Sequence, residues 1–184
     1  MGSRIAAFFD LDNTIVPGHA IEHPFFRLLW RQGLVGPRDL ARSLVVLFRN
    51  VPPLTFDPLR RYKAYLAGKP IASIEGLAKS FFWEHVCPRI SEQACMAIKE
   101  HRAHGHRVVL LTGSPDFIVE PLATYLKIDQ VLAGRLERIG TLFSGCMVAP
   151  YPYRQGKRLA AERFVAEQGL DLDVSYMYGD SPGD

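Results

Sequence analysis

The sequence predicts an α/β protein: a parallel sheet flanked by helices, its site at the carboxyl ends of the strands, and a helical segment inserted after the first strand. Three observations carry the prediction. Apolar runs at residues 5–9 and 108–111 are short and unbroken, as in strands buried on both faces, residues 174–178 read as a third buried strand, and each ends in polar residues. Helical stretches separate them. From Ile21 to about Lys99 the spacing of apolar residues is helical almost throughout. With 184 residues, 48% hydrophobic and 22% charged, the chain allows one domain, or a core with a smaller insertion, that buries roughly 70% of its unfolded surface.

In chain order, the strand at 5–9 stops at Asp10-Leu11-Asp12. Leu40, Leu44, Leu47 and Phe48 then form one helical stripe, while Pro17-Gly18, Gly36-Pro37, Pro52-Pro53 and Gly68 with Pro70 divide the region into several short helices. After the strand at 108–111, Ser114 as N-cap and Pro115 at the first helical position start a helix to about Leu126. Weak alternation between Val131 and Val148, with Gly140 and Gly145, indicates a hairpin. Gly156-Lys157 opens a helix that Gly169 stops, and residues 174–178 form a third buried strand, followed by Asp180 and Asp184. Residues 1–16 and 89–184 are thus expected to form the α/β core and residues 17–88 a helical insertion above the site.

Lys and Arg number 22 against 19 Asp and Glu, a net +3 too small to mark a nucleic-acid binder. The distribution says more. Residues 15–90 carry 11 basic and 5 acidic side chains, which leaves the remainder net negative. A positive lid over an acidic pocket suits an anionic substrate meeting a cation held by carboxylates. Cys87, Cys95 and Cys146 form no CxxC pair and leave one unmatched in any disulfide scheme, which fits a reducing, cytoplasmic setting. The first apolar run is too short for a signal peptide, and no stretch approaches the ~20 residues of a spanning helix.

Asp10 and Asp12 end the first strand, and alternation sends both one way if extended geometry continues. Two close carboxylates repel unless a cation or a proton intervenes, so one is free to bind metal while the other holds a proton. Phosphoryl transfer uses that division, with Asp10 as nucleophile, Asp12 as acid and then base, and a hard ion such as Mg²⁺ screening the phosphate. Alone, D-x-D-x-T is equally at home in a solvated turn, although an EF-hand is excluded by Ile15 and Ile21 where Gly and Glu are needed. Thr112-Gly113 offers a phosphate a hydroxyl and an open N–H beside a helix start, or is an ordinary strand-to-helix turn. Lys157, between Arg154 and Arg158, is a fixed positive charge or a solvated lysine; Tyr151 stands where a Walker loop needs glycine. Asp180 is placed to complete a metal site and Asp184 to orient it, unless the segment is only a tight turn.

Taken in order, Phe-Phe-Asp-Leu-Asp-Asn-Thr, Leu-Leu-Thr-Gly-Ser-Pro, Gly-Lys and Tyr-Gly-Asp-Ser-Pro-Gly-Asp resemble the four motifs of the haloacid dehalogenase superfamily. The helical insertion after the first motif, and the phrase Ala-Ile-Lys-Glu-His-Arg-Ala-His-Gly-His, are similar to its phosphoserine phosphatase-like subfamily, IB. The resemblance implies a Rossmann-like core with a helical C1-type cap. It also implies Asp10 as nucleophile, Asp12 as acid/base, Thr112 and the Gly113 amide as phosphate ligands, and Lys157 as the charge bridging phosphate and nucleophile. Mg²⁺ would be held by Asp10, the Asp12 carbonyl and Asp180. Retention of the second acid points to phosphatases rather than dehalogenases.

Two departures stand out. Where phosphoserine phosphatases carry a glutamate that grips the substrate amine, ungapped counting puts His19, with Glu22 a turn further on, which argues against phosphoserine as the substrate. The chain also stops at Asp184 inside the last motif, where members of the family continue with another helix and strand, so a truncated chain is expected. The reading is then a phosphatase acting on a small phosphorylated metabolite, with neither nucleic acid nor membrane as partner and no sign of oligomeric state. A phosphoacceptor switch resembling a response-regulator receiver, or a non-catalytic binding protein of the same fold, are the alternatives. The receiver is disfavoured because Asp10 and Asp12 share one strand.

His19 and Arg60, with Arg61 and Lys63, are the candidates for substrate contact in the basic insertion. The rest reads as structural. His101, His104 and His106 are expected at a solvated helix end, Trp30, Phe81, Phe82 and Trp83 in the core of the insertion, and Cys87 and Cys95 buried and inert; Arg38, Arg42 and Arg49, opposite the Leu stripe, are compatible with an anionic lipid or nucleic-acid surface but read more simply as a solvated face.

Overall fold

Four consecutive apolar residues need cover on both sides, and Ala6–Phe9 (β1) finds it inside the sheet, buried along its whole length. The computed structural model describes residues 4–18, 20–50, 62–153 and 155–180, leaving aside the side chains of Leu47 and Asn50. Within these, β1 is followed by α1 (Glu22–Arg31), α2 (Pro37–Asn50), a 3₁₀ turn (Ala64–Leu66) and α3 (Ile71–Phe81), prolonged by a π-helical turn (Phe82–Val86) and a 3₁₀ turn (Cys87–Arg89). Then come α4 (Glu92–Ala103), β2 (Arg107–Pro115), α5 (Asp116–Leu126), β3 (Gln130–Ile139), β4 (Leu142–Val148), α6 (Gln155–Gln168) and β5 (Tyr176–Tyr178). The strands lie in the order β4-β3-β2-β1-β5, all parallel except for the β3–β4 hairpin. This is the α/β fold expected from the sequence.

Side-chain alternation divides the core between the two faces of the sheet. Ala7, Phe9, Val108 and Leu110 pack with α4, α5 and the helices of residues 22–86; Ala6, Phe8, Val109 and Leu111 pack against Ala161, Phe164 and Val165 of α6. Each fully buried phenylalanine contributes about 2–3 kcal/mol through the apolar area it removes from water.

Several local expectations are corrected. β2 runs on through Thr112, Gly113 and Ser114, because a register shift between Leu111 and Pro115 keeps it paired with β3 as far as Gly134. Ser114 is therefore a strand residue, Pro115 takes the N-cap of α5, and Asp116 Oδ1 accepts the Phe117 N–H. β5 lies at the sheet edge among the described strands, with Tyr176 and Met177 exposed rather than buried. His101 is no solvated helix end: its buried ring places Nε2 2.9 Å from the Tyr178 hydroxyl and Nδ1 2.7 Å from His106 Nδ1, and burial lowers its pKa. Phe81 and Phe82 are core, but Trp30 and Trp83 are largely exposed, and Cys87 and Cys95 are only half-buried.

The stripe on α2 is also reversed, since Leu40, Leu44 and Phe48 face solvent while Asp39 and Ser43 face the protein. Polar contacts hold it this way: Asp39 Oδ2 accepts from the Gly36 N–H and from Lys69 Nζ, each at 2.9 Å. Arg42 is engaged too, donating to the Ala67 carbonyl at 3.0 Å. Burial pushes the Asp39 carboxyl up, but the Lys69 and Gly36 hydrogen bonds and the charges of Lys69 and Arg42 outweigh it, leaving the pKa below the usual carboxylate value. A depressed carboxylate stabilises the fold above its unfolded pKa and loses that contribution as pH falls through the folded one. Asp39→Asn is accordingly expected to cost about 1 kcal/mol at pH 7, with the gap from wild type closing below about pH 4, as read by urea unfolding.

Candidate active site

Main-chain pairing of β1 with β5 extends one residue past the strand, the Asp10 N–H donating to the Tyr178 carbonyl at 2.8 Å. The chain then leaves the sheet. Residues 11–16 fold into a tight loop closed by the Val16 N–H on the Leu11 carbonyl (2.9 Å) and the Asn13 N–H on the Val16 carbonyl (3.0 Å). Asn13 sits at φ 59°, a left-handed conformation that asparagine tolerates better than most residues. Extended geometry therefore does not continue to Asp12, yet Asp10 and Asp12 line the same cavity. The Ile21 N–H, donating to Asp12 Oδ1 at 3.2 Å, fixes the second carboxylate.

The cavity, of about 600 Å³, is also lined by Thr112, Gly113, Lys157 and Asp180. Thr112 is buried in the irregular end of β2, its Oγ1 accepting the Ser114 N–H at 3.1 Å. The first turn of α6 brings Lys157 Nζ to 2.8 Å from Asp10 Oδ1, with only 9% of each side chain exposed. Charges so far from water are tolerable because they are paired. Burial, together with the negative charges of Asp10 and Glu22, raises the Asp12 pKa, against the opposing Ile21 N–H and Lys157. One carboxylate is thus paired with a lysine, while burial raises the pKa of its neighbour.

Sequence reasoning missed two connections here. Asn13 Nδ2 donates to Asp180 Oδ2 at 2.8 Å and so ties the loop after β1 to the end of β5. The left-handed turn needed to close that loop was its available signal. Glu22 and Lys63 form an ion pair, and both line the cavity. In the sequence Lys63 stands with Arg60 and Arg61 as a candidate for substrate contact and Glu22 only as a displaced residue, but their pairing is not foreseen there. His19, Arg60 and Asp184 lie outside the described residues.

Among the described residues, no three His, Cys, Asp or Glu side chains come together as a metal-binding group. A cation here would rest on the carboxylates of Asp10 and Asp180 and the main-chain oxygen of Asp12. That small, all-oxygen set fits Mg²⁺, which keeps several of its own waters, and not a metal that demands nitrogen or sulfur ligands.

The model of the family described as haloacid dehalogenase-like hydrolase matches residues 7–184. The chain belongs to this family. Two relatives are each 30% identical to it: the inhibition of morphological differentiation protein of Streptomyces azureus, over 98% of this chain and 67% of that protein, and a probable phosphatase of Mycobacterium tuberculosis, over 97% and 63%. The chain therefore spans about two thirds of the length of these relatives. A solved structure from Bordetella pertussis, of a protein with unknown function, is 25% identical and superposes with a TM-score of 0.82 over 99% of this chain and 84% of its own. A phosphoserine phosphatase solved as a phospho-aspartyl intermediate analogue, 23% identical, shares the fold with a TM-score of 0.61 over 99% of this chain and 80% of its own.

Proposed function

We propose that this haloacid dehalogenase-like hydrolase is a Mg²⁺-dependent phosphatase that hydrolyses a small phosphomonoester through a phosphorylated Asp10. The observation that carries the reading is the buried Asp10–Lys157 pair, at 2.8 Å, in a cavity that Thr112, Gly113 and Asp180 also line. The probable phosphatase of Mycobacterium tuberculosis supports the reaction class. Residues 1–16 and 89–184 act as the catalytic core and residues 17–88 as a cap over it. A reducing cytoplasm, consistent with the free cysteines, is its compartment.

A carboxylate beside a buried ammonium stays ionised and keeps a lone pair for attack. An Asp10 oxygen attacks phosphorus, the ester P–O bond breaks, and the leaving oxygen takes a proton from Asp12, whose pKa is raised mainly by burial. Thr112 Oγ1 and the Gly113 N–H bind the phosphoryl oxygens. Asp12, now ionised, takes a proton from water as that water attacks phosphorus; inorganic phosphate leaves and the Asp10 carboxylate is restored. Mg²⁺ would be held by Asp10, the Asp12 carbonyl and Asp180, and would supply positive charge to neutralise the phosphate.

The test is to quench the protein in acid during turnover of p-nitrophenyl phosphate and weigh it. The expected result is a transient gain of one phosphoryl group, discharged by hydroxylamine and absent when EDTA removes the metal. Hydrolysis with no such adduct would overturn the mechanism, and an adduct persisting for hours would replace it with a signalling switch.

A further inference from the structure

We propose that α2 docks the protein onto an anionic lipid surface. The helix is amphipathic the wrong way round for a buried element. Leu44 is 54%, Val45 49% and Phe48 80% exposed, and Leu40 shares their side, whereas Asp39, Ser43 and Val46 are the half-buried positions. At about 100° per residue, Leu40, Leu44 and Phe48 fall within roughly 80° of one another, with Val45 about 60° beyond. Arg38, Arg42 and Arg49 occupy the adjoining arc.

The orientation is fixed by the structure rather than by fraying of an isolated helix. Asp39 is pinned inward by Lys69, and Arg42 grips the Ala67 carbonyl. Turning the apolar face inward would break these contacts. Asp39 is also the one acid of the helix, so its outward arc carries none. Among the described residues, Arg38 and Arg49 have no ion-pair partner.

Charge complementarity decides the occupant. An apolar ridge bordered along one side by arginines matches acyl chains beneath anionic headgroups. A second copy of the same face would set one arginine arc beside another, and like charges would meet at the rim of the contact. The helix has 14 residues, and no helix among the described residues is long and apolar enough to cross a membrane, so α2 would lie in the plane of the interface. The sequence pattern alone leaves the arginine face compatible with an anionic surface but favours a solvated one.

The test is flotation of the full chain with phosphatidylcholine vesicles, with and without phosphatidylglycerol. Wild type is expected to float with the phosphatidylglycerol vesicles at low salt and to be released by high salt. Leu44→Asp with Phe48→Asp should lower the bound fraction at least about 10-fold, since each apolar anchor lost weakens partitioning. Arg38→Gln with Arg49→Gln should abolish the preference for the anionic lipid. Failure of wild type to float with either vesicle, or equal flotation of all three proteins, would overturn the proposal. So would light scattering that shows a dimer dissociated by Leu44→Asp with Phe48→Asp, which would assign the face to a second copy. A fall of several degrees in the melting temperature of that variant would also overturn it, because the face would then be packed within the folded chain.

Discussion

Asp10→Asn is expected to lower kcat on any phosphomonoester at least about 10³-fold and to abolish the phosphorylated protein. The amide keeps the size of the carboxylate but has no anionic oxygen to offer phosphorus. It also leaves the ammonium of Lys157, itself only 9% exposed, beside a neutral group. Breaking a buried ion pair from one side costs about 3–5 kcal/mol, but here the same change removes the repulsion between Asp10 and Asp12, so the net loss should fall below that range. Adding Lys157→Met to Asp10→Asn should recover stability while leaving activity absent, which separates chemistry from folding. Urea unfolding and initial rates on p-nitrophenyl phosphate measure the two effects. A single Asp10→Asn variant retaining a tenth of wild-type kcat would remove Asp10 from the reaction.

What the sequence disclosed and what it hid follow from where the determining contacts lie. β1, β2 and the hairpin were legible because their evidence is local: unbroken apolar runs for the first two, glycines at the turn for the third. That Asp10, Thr112 and Asp180 line one cavity follows from their places at or just beyond the carboxyl ends of the neighbouring parallel strands β1, β2 and β5, whereas Lys157, on the first turn of α6, was joined to them only by the resemblance. The orientation of α2 was not legible, since its hydrophobic stripe is a sound local signal overruled by Lys69, 30 residues from Asp39. His101 was misread for the same reason: its partner, the Tyr178 hydroxyl, lies 77 residues further on, on the strand beside β1. A side chain's own segment can state its periodicity but not its tertiary partner.

Gly156→Ala is the most severe backbone test of how Lys157 is placed. A methyl group at Gly156 would overlap the Tyr151 carbonyl oxygen, which is main chain and has no rotamer by which to withdraw. That carbonyl accepts the Tyr153 N–H at 2.8 Å, and the Gly156 N–H in turn donates to the Tyr153 carbonyl at 2.9 Å, so the turn and the start of α6 are interlocked. Relief requires one of them to move, and Lys157 is the next residue. A displacement of about 1 Å at a reacting group costs on the order of 10²-fold in rate, and overpacking of this kind costs about 1–3 kcal/mol in stability. Gly169→Ala, at the other end of α6, supplies the contrast. It has open space around it but a φ of 63°, so it should cost about 1 kcal/mol and leave kcat unchanged. Rate and melting measurements on both variants distinguish the causes. If both lost activity in proportion to stability, general loosening of α6 would be responsible; a rate loss confined to Gly156→Ala would show that the close approach of Gly156 to Tyr151 sets the ammonium against Asp10.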